Sequence, residues 1–351
     1  MVQIVQLKTK DYSKSFDKLE QIVSPIKGEI NLVDEIIKQN TQSSIPLIPE
    51  LANHLLFNGG KRIRPSLTIF STKLFDHQEN RHLKLAACIE LIHSATLLHD
   101  DVVDEGFLRR GKKTANAVWG NKASILVGDF LLSRAFDLMV SDGSMEILKT
   151  LSNTASIIAE GEILELTTSR DIEISEAVYL DVIKSKTAQL FSSACEVGAI
   201  ISDQSHKERD ALKNFGLNLG NAFQIIDDVL DYISNKKKFG KVIGEDFRSG
   251  KMSLPVILAY SRGNEKERLF WNKTMKEKKQ TPRDFKKAIR IMNLRNAIQD
   301  SVKRAQFFAS IAMSGHGNLA SISGRWSASR SKIRSAACHC FSFILPADGC
   351  A

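Results

Sequence analysis

Residues Ile89–Asp104, IELIHSATLLHDDVVD, are the most informative part of the sequence, because they join a long apolar helical pattern to three aspartates. Apolar side chains recur at helical spacing across residues 81–100, and this pattern predicts a buried helix. A related pattern, AFQIIDDVLD at residues 222–231, ends a second apolar segment. The predicted apolar face of the first helix consists of Leu85, Cys88, Ile89, Ile92, Thr96 and Leu97.

Helical periodicity continues along most of the chain and predicts an all-α bundle with short connections. β-branched alternation bounded by turns is scarce. The further predicted helices cover residues 123–140, 145–167, 176–201, 208–233 and 253–261. The predicted breaks are residues 58–61, the charged turn 105–113 and a Gly- and Lys-rich loop at 234–251.

Composition favours a soluble globular protein, with 43% hydrophobic and 25% charged residues among 351. The net charge of +9 suits an anionic ligand. Neither zinc-finger spacing nor a basic stretch interleaved with aromatics occurs, which argues against nucleic acid. A charged signal-peptide start and an apolar run of about 18 residues are both lacking, so we expect a cytoplasmic protein. Peripheral membrane contact for product release remains compatible with this expectation.

The end of the chain differs in composition from the rest. The helical pattern fades near Met313, and we predict one catalytic domain over residues 1–313. Residues 314–335 contain seven serines, and Cys338, His339 and Cys340 follow. We expect this atypical tail, 314–351, to be disordered or loosely packed, as a shifted reading frame or a truncated terminus would produce. Cys88 and Cys195, in apolar segments, are predicted to be buried thiols rather than disulfide partners.

The two aspartate triplets carry the predicted chemistry. They are Asp100, Asp101 and Asp104 in the first motif and Asp227, Asp228 and Asp231 in the second. Positions i and i+4 share one helix face, so carboxylates repel one another there by about 1 to 4 kcal/mol per close pair. A hard cation such as Mg²⁺, bound through oxygen together with substrate phosphates, offsets this repulsion. One DxxxD pair alone also suits a solvated acidic face, but two triplets beside apolar residues favour a metal and diphosphate site.

Basic residues lie near both triplets in the sequence. Gly59-Gly60-Lys61-Arg62-Ile63-Arg64-Pro65 supplies three cations in four residues, and its glycines let the backbone approach an anion. Its spacing does not match a Walker A loop. The other candidates are Arg109, Arg110, Lys186, Thr187, Lys241 and Lys251. Each one alone suits a surface charge, whereas their grouping around the triplets favours diphosphate binding.

These motifs, in this order, resemble the trans-isoprenyl diphosphate synthase family, and residues 91–136 resemble its long-chain, octaprenyl-type members in particular. The resemblance covers roughly residues 25–312. It implies an isoprenoid synthase fold, a bundle of antiparallel helices around a central cavity, and a homodimer. It implies two or three Mg²⁺ ions per active site, held by the six aspartates. It also implies a prenyltransferase that adds isopentenyl diphosphate to an allylic diphosphate.

The resemblance also assigns roles by position. The residues implied for isopentenyl diphosphate are Lys61, Arg64, His93 and Arg110. Those implied for the allylic diphosphate are Arg109, Lys186, Thr187, Gln224, Lys241 and Lys251. Lys186 and the aspartates are the implied catalytic groups. Gln224 lies at i−3 from Asp227, which fits a shared helix face. His99 has no such support and is expected to be structural.

The expected product is a C40-type polyprenyl diphosphate for quinone side chains. Ala95 and Thr96, one turn before Asp100, are small, and in this family a bulky aromatic there gives short products. A shorter-chain synthase, such as a geranylgeranyl or hexaprenyl synthase, remains an alternative. A terpene cyclase or head-to-head prenyltransferase is disfavoured by GGKRIRP, and a non-catalytic subunit of a heteromeric synthase is disfavoured by two intact triplets. The paired basic residues argue against a plain acidic metal-binding protein.

Overall fold

A computed structural model of the chain describes residues 23–57, 60–75, 77, 79–109, 111–169, 171–233, 244–281 and 283–320, with side chains up to Ser314. The first helices are α1 (Lys27–Asn40), α2 (Leu47–Leu56), α3 (Ile63–Lys73), α4 (Arg81–Val103), α5 (Ala115–Trp119), α6 (Asn121–Asp142) and α7 (Met145–Thr168). The later helices are α8 (Glu176–Ile183), α9 (Gln189–Ile201), α10 (His206–Ile233), α11 (Glu245–Ser249), α12 (Leu254–Ser261), α13 (Glu265–Trp271), α14 (Asp284–Leu294) and α15 (Ala297–Ala320). The predicted all-α class is confirmed.

Helix α4, which ends in the first triplet, is buried on almost every side. The predicted face is buried at its centre, but Leu83, Leu91 and Leu98 on other sides are buried as well. The single-face prediction was therefore too narrow. The reason is that α4 packs against α1, α3, α6 and α9, so an apolar residue finds a neighbour at nearly every position.

Helix α10, which ends in the second triplet, lies against α9 on one side and α15 on another. Helix α9 also contacts α3, α4 and α7, so it occupies the middle of the bundle. Both triplet helices thus pack on the same central helix. This arrangement is what brings the two acidic ends to one region of the molecule.

Two glycines of α10 allow that close packing. A Cβ atom at Gly216 would lie 2.4 Å from the carbonyl oxygen of Phe191, and one at Gly220 would lie 2.5 Å from the Cα of Ala188. Such contacts are far inside van der Waals distance. Only glycine lets α9 and α10 approach each other as they do.

We expect Gly216→Ala to lower the free energy of unfolding by about 1 to 3 kcal/mol, because the packed backbone of α9 must move to admit the methyl group. Urea unfolding followed by circular dichroism measures the change. Gly28→Ala is the matched control, since nothing lies within 4 Å of a Cβ at that helical position. The control should raise the free energy of unfolding slightly, because alanine has a better helix propensity than glycine. Equal effects of the two variants would contradict the packing argument.

Three local differences from the sequence predictions affect the site. Residues 105–113 include a two-stranded antiparallel hairpin, β1 (Leu108–Arg109) paired with β2 (Lys112–Lys113), where a plain turn was predicted. Residues 176–201 are interrupted by a π-helical segment, Lys184–Ala188. The predicted loop 234–251 contains helix α11, while residues 234–243 lie outside the described part of the chain.

The predicted end of the helical pattern at Met313 was too early, because α15 continues to Ala320. Extending an existing helix costs little, since each added residue gains one backbone hydrogen bond. Residues 321–351, and with them most of the predicted tail, lie outside the described residues. Cys88 and Cys195 are buried thiols rather than disulfide partners, as predicted. Within the described residues, no helix combines the length and the apolarity that crossing a bilayer requires.

Candidate active site

The first triplet lies at the C-terminal end of α4. Asp100 and Asp101 are buried, and Asp104, the residue that caps the helix, is exposed. The Asp104 amide still donates to the Asp100 carbonyl at 2.8 Å, so helical geometry extends to the third aspartate. The surrounding protein partly desolvates the Asp104 carboxylate and raises its pKa, and the nearby Glu165 and Asp100 carboxylates raise it further. The triplet is therefore a crowded set of like charges.

Arg109 neutralises Asp101 from the hairpin. Its Nη2 lies 2.8 Å from Asp101 Oδ1, and its Nε donates to the same carboxylate at 3.0 Å. Burial opposes the charge of Arg109, but the bond to Asp101 and the charges of Asp100 and Asp104 outweigh it and raise its pKa. The Asp101 carbonyl accepts from the Asn116 side chain at 2.9 Å. The turn after the triplet thus folds back and presents a cation to it.

Lys186, on the π-helical segment, stands in the middle of a second group of carboxylates. Its Nζ lies 2.6 Å from Glu162 Oε2, 2.6 Å from Glu165 Oε2 and 3.6 Å from Asp100 Oδ2. A Cβ at Gly161 would lie 2.7 Å from the Cβ of Ser185, so α7 approaches this segment closely. Isolated π-helical turns occur frequently at functional sites. Here the turn places Lys186 between α7 and α4.

The second triplet is held by hydrogen bonds to its middle aspartate. Asp228 is 2% exposed and accepts from Tyr179 Oη at 2.7 Å and from Gln224 Nε2 at 2.8 Å. Thr187 Oγ1 in turn donates to Gln224 Oε1 at 2.9 Å. Gln224 was expected to share a helix face with Asp227, and its hydrogen-bond partner is Asp228, because i and i+4 side chains stack along the helix. Burial raises the pKa of Asp228.

The third aspartate of this triplet stabilises the segment that follows it. The backbone amides of Glu245 and Asp246 donate to the two Asp231 carboxylate oxygens at 3.2 and 3.0 Å. Asp231 therefore caps α11 and fixes the start of a stretch that ends at Lys251. Lys251 Nζ lies 3.9 Å from Asp228 Oδ1. Lys251 is distant from the triplet in the sequence but lies beside it in the folded protein.

Lys251 and Glu165 connect the two triplets. The charges of Asp246 and Asp228 on one side, and of Glu165 and Asp104 on the other, outweigh burial and raise the pKa of Lys251. Burial would raise the pKa of Glu165, but Lys251 and Lys186 hold it below its usual value. One lysine thus interacts with carboxylates of both triplets. The two acidic helix ends border a common space.

Carboxylates outnumber cations in this space. Among the described residues, nine of them lie at or beside the two triplets, and seven of these interact with three basic side chains, Arg109, Lys186 and Lys251. The nine carboxylates are Asp100, Asp101, Asp104, Glu162, Glu165, Asp227, Asp228, Asp231 and Asp246. Burial and the charge of Asp100 raise the pKa of Glu162, a further sign of unrelieved repulsion. Oxygen-only donors with excess negative charge fit a divalent cation such as Mg²⁺.

The described residues contain no group of three or more acidic, His or Cys side chains already arranged around one ion position. The reason is visible in the contacts, since Lys186 and Arg109 lie between the carboxylates. Metal ions with a bound diphosphate would compete with these two cations for the carboxylates. The residues that would hold the ions are the aspartates of both triplets.

A cavity next to Asp101 contains two of the predicted substrate residues, His93 and Arg109. Its lining includes Gly60, Arg62, His93, Asp101 and Arg109. Lys61 is exposed, and the Arg64 guanidinium lies over the Phe191 ring at 4.7 Å from its centroid. Two residues of the basic motif, Gly60 and Arg62, therefore line the same cavity as Asp101. Arg110 and Lys241 lie outside the described residues.

Four side chains of the site were not predicted: Glu162, Glu165, Tyr179 and Asp246. Glu162 and Glu165 sit at i, i+3 within an apolar segment, a pattern that could have revealed them. Tyr179 and Asp246 carry no such local signal, because only tertiary packing brings them to Asp228. His99 is bound to α6, with Nε2 at 3.2 Å from the Ile125 carbonyl and 3.3 Å from Asp129, as expected of a structural residue.

Comparisons with known proteins agree with this geometry. The model of the family described as Polyprenyl synthetase matches residues 45–292. Octaprenyl diphosphate synthase of Escherichia coli is 43% identical over 249 residues, which cover 71% of this chain and 77% of the relative. The all-trans-nonaprenyl-diphosphate synthase of Rhodobacter capsulatus is 41% identical over 255 residues, covering 72% of this chain and 78% of the relative.

Solved structures extend the similarity to the fold. The polyprenyl synthase from Caulobacter crescentus, crystallised with calcium and isoprenyl diphosphate, superposes with a TM-score of 0.86 at 40% identity. The superposition covers 93% of this chain and 97% of that one. The chain therefore belongs to the polyprenyl synthetase family and is a prenyltransferase.

Proposed function

We propose that this enzyme condenses isopentenyl diphosphate onto an allylic diphosphate, such as farnesyl diphosphate, and makes a C40-type polyprenyl diphosphate for quinone side chains. The observation that carries this proposal is that one segment contacts both aspartate triplets. Lys186 lies 3.6 Å from Asp100, and the adjacent Thr187 donates to Gln224, which holds Asp228. Similarity to an octaprenyl and a nonaprenyl diphosphate synthase supports a long product. A shorter-chain synthase and a non-catalytic subunit remain the alternatives.

The chemistry requires a charged leaving group to be stabilised as it departs. Breaking the allylic C–O bond leaves an allylic carbocation and pyrophosphate. Mg²⁺, when bound by the aspartates, neutralises the negative charge that develops on the pyrophosphate. That charge would be shared by three basic side chains from different segments of the chain, Lys186, Lys251 and Arg109. Stabilisation that grows in the transition state is what speeds the reaction.

The second substrate must be held close to the carbocation, and water must be excluded from both. In the proposal, Lys61 and Arg64 bind the diphosphate of isopentenyl diphosphate, so that its double bond can attack the cation. The gain is one of proximity and orientation. The apolar side chains of α4 keep water from the carbocation. Loss of a proton to pyrophosphate completes the step, and no side-chain nucleophile is required.

Product length should depend on the helix turn before Asp100. Ala95 is 1% exposed on α4. We expect Ala95→Phe to shorten the main product by two or more isoprene units, because a phenyl ring there would block a chain that extends back along α4. Chromatographic sizing of the labelled products measures the effect.

The control for this variant is Ala288→Phe, because Ala288 is equally buried but lies on α14. Overpacking costs about 1 to 3 kcal/mol at either position, so both variants should lose stability. Only Ala95→Phe should change the product. An unchanged product length in a folded Ala95→Phe enzyme would show that the chain grows elsewhere.

We further propose that the enzyme is a homodimer that acts in the cytoplasm, with peripheral membrane contact when the product leaves. Helices α6 and α7 expose large apolar side chains, among them Leu126 (67%), Val140 (65%) and Ile163 (61%). A subunit interface on these helices would cover such side chains. Light scattering coupled to size-exclusion chromatography tests the dimer, and a monomer at assay concentration would refute it.

The decisive assay combines farnesyl diphosphate, labelled isopentenyl diphosphate and Mg²⁺. The proposal predicts a ladder of products that ends near C40. A ladder that ends at C20 to C30 supports a shorter-chain synthase, and a cyclic product would point to a cyclase. The absence of any product from a folded protein would favour the non-catalytic subunit.

A further inference from the structure

Arg62, the central cation of GGKRIRP, has an unusual backbone conformation. Its φ of 46° and ψ of 38° lie in the left-handed region, which non-glycine residues seldom adopt. The residue immediately precedes α3, and its carbonyl accepts from the Ser66 amide at 2.9 Å. A conformation of this kind persists only where the surrounding structure fixes it. The side chain of Arg62 supplies that constraint.

Arg62 is 8% exposed, and its guanidinium forms hydrogen bonds with three different helices. Nε donates to Asp34 of α1 at 2.7 Å, and Nη1 donates to Glu90 of α4 at 2.8 Å. Nη2 donates to the Leu56 carbonyl at the end of α2 at 2.9 Å. Each nitrogen of the planar group thus has a protein acceptor. Three of its five N–H donors are used in this way, and the residue is buried, so Arg62 is poorly placed to bind a phosphate.

Its two basic neighbours differ from it. Lys61 is exposed and Arg64 is partly exposed, whereas Arg62 turns into the protein. The motif therefore contains one exposed cation, Lys61, and one half-buried cation, Arg64, which stacks on Phe191. Arg62 anchors the chain between them. Fixing the backbone at Arg62 constrains the positions of the residues on both sides.

The ion pair with Glu90 ties this loop to the helix that carries the first triplet. Glu90 precedes His93 by three residues and Asp100 by ten on α4. Arg62, Glu90, His93 and Asp101 line the same cavity. A rigid link at this point sets the distance between the basic loop and the aspartates. In a condensation, that distance is the separation between the two diphosphates.

We propose that Arg62 is a positioning residue: its ion pairs with Glu90 and Asp34 hold Lys61 and Arg64 at a fixed distance from the first aspartate triplet and so create the isopentenyl diphosphate site. This inference rests on the proposed function and deepens it. Arg62 acts through its neighbours and does not touch the substrate.

The test compares Arg62→Gly, Arg62→Lys and Glu90→Gln with the wild-type enzyme. Arg62→Gly removes the backbone strain together with the anchor, whereas Glu90→Gln keeps the shape and removes one charge. We expect Arg62→Gly to raise KM for isopentenyl diphosphate by about tenfold to a hundredfold, as small misplacements of binding groups do. KM for farnesyl diphosphate should change less than about threefold. Glu90→Gln should give a smaller change in the same direction, and Arg62→Lys an intermediate one.

Arg81→Ala is the matched control, because Arg81 forms a bidentate pair with Asp142 at 2.6 and 2.7 Å near the other end of α4. It should lower the melting temperature without changing either KM. The affinity for isopentenyl diphosphate, measured by titration calorimetry, is a second readout that does not depend on turnover. An inactive wild-type enzyme would count against the proposed function, while this affinity would still test Arg62.

Two results would overturn the inference. One is an equal rise of both KM values in the folded Arg62 and Glu90 variants, which would indicate general damage. The other is an unchanged affinity for isopentenyl diphosphate in all of them. If Arg62→Gly fails to fold, Glu90→Gln alone decides between the outcomes, because an isosteric amide disturbs packing least.

Discussion

Asp100→Ala is expected to reduce turnover by about 10³-fold or more at saturating Mg²⁺ and saturating substrates. Asp100 is buried, lies 3.6 Å from the Lys186 ammonium and raises the pKa of both Glu162 and Asp104. Its removal takes away a carboxylate that, in the proposal, binds the metal. Initial rates of labelled isopentenyl diphosphate incorporation measure the loss.

Asp137→Ala is the control for this variant. Asp137 is an exposed aspartate that pairs with Arg134 on α6, away from the triplets. Its removal should leave the rate within about twofold, since surface ion pairs contribute little. If the Asp100→Ala enzyme keeps a tenth or more of the wild-type rate, the first triplet does not hold the metal.

The second large effect is expected from Lys186→Ala. The lysine separates Glu162, Glu165 and Asp100, and burial leaves these carboxylates poorly solvated. We expect kcat to fall by about 10² to 10³-fold, because one cation that stabilises the departing pyrophosphate is lost. We also expect Mg²⁺ alone to raise the melting temperature of the variant more than that of the wild type, since the ion replaces the missing charge.

Lys213→Ala provides the comparison, because Lys213 pairs with Glu196 outside the site. It should change neither the rate nor the Mg²⁺ response. Thermal unfolding with and without Mg²⁺ gives the second readout independently of catalysis. An equal Mg²⁺ response in wild type and Lys186→Ala would contradict the view that Lys186 occupies the place of a cation.

Local patterns were sufficient to predict much of the fold and of the site. The triplets, the basic motif and helix α4 are each encoded within about one helix length, so spacing and periodicity reveal them. The pairing of Gln224 with Asp228 rather than Asp227 could not be read with certainty, because i+3 and i+4 partners share a face. The structure decides between them through Thr187, which holds the other end of Gln224.

Other features depend on contacts between distant parts of the chain. Tyr179 reaches Asp228 only because α8 and α10 are neighbours in the bundle. Arg62 could be recognised as basic but not as buried, since its partners are 28 residues away on either side. The hairpin at Arg109 escaped prediction because four residues of strand give no periodic signal. In each case tertiary contacts, rather than local propensity, determine the outcome.

The most direct test of the central claim is calorimetric titration with a non-hydrolysable thio analogue of farnesyl diphosphate. The claim is that both aspartate triplets serve one metal-dependent diphosphate site. The account predicts tight binding with Mg²⁺, negligible binding with excess chelator, and a large loss of affinity in both Asp100→Ala and Asp227→Ala. Metal-independent binding, or full affinity in either variant, would contradict it.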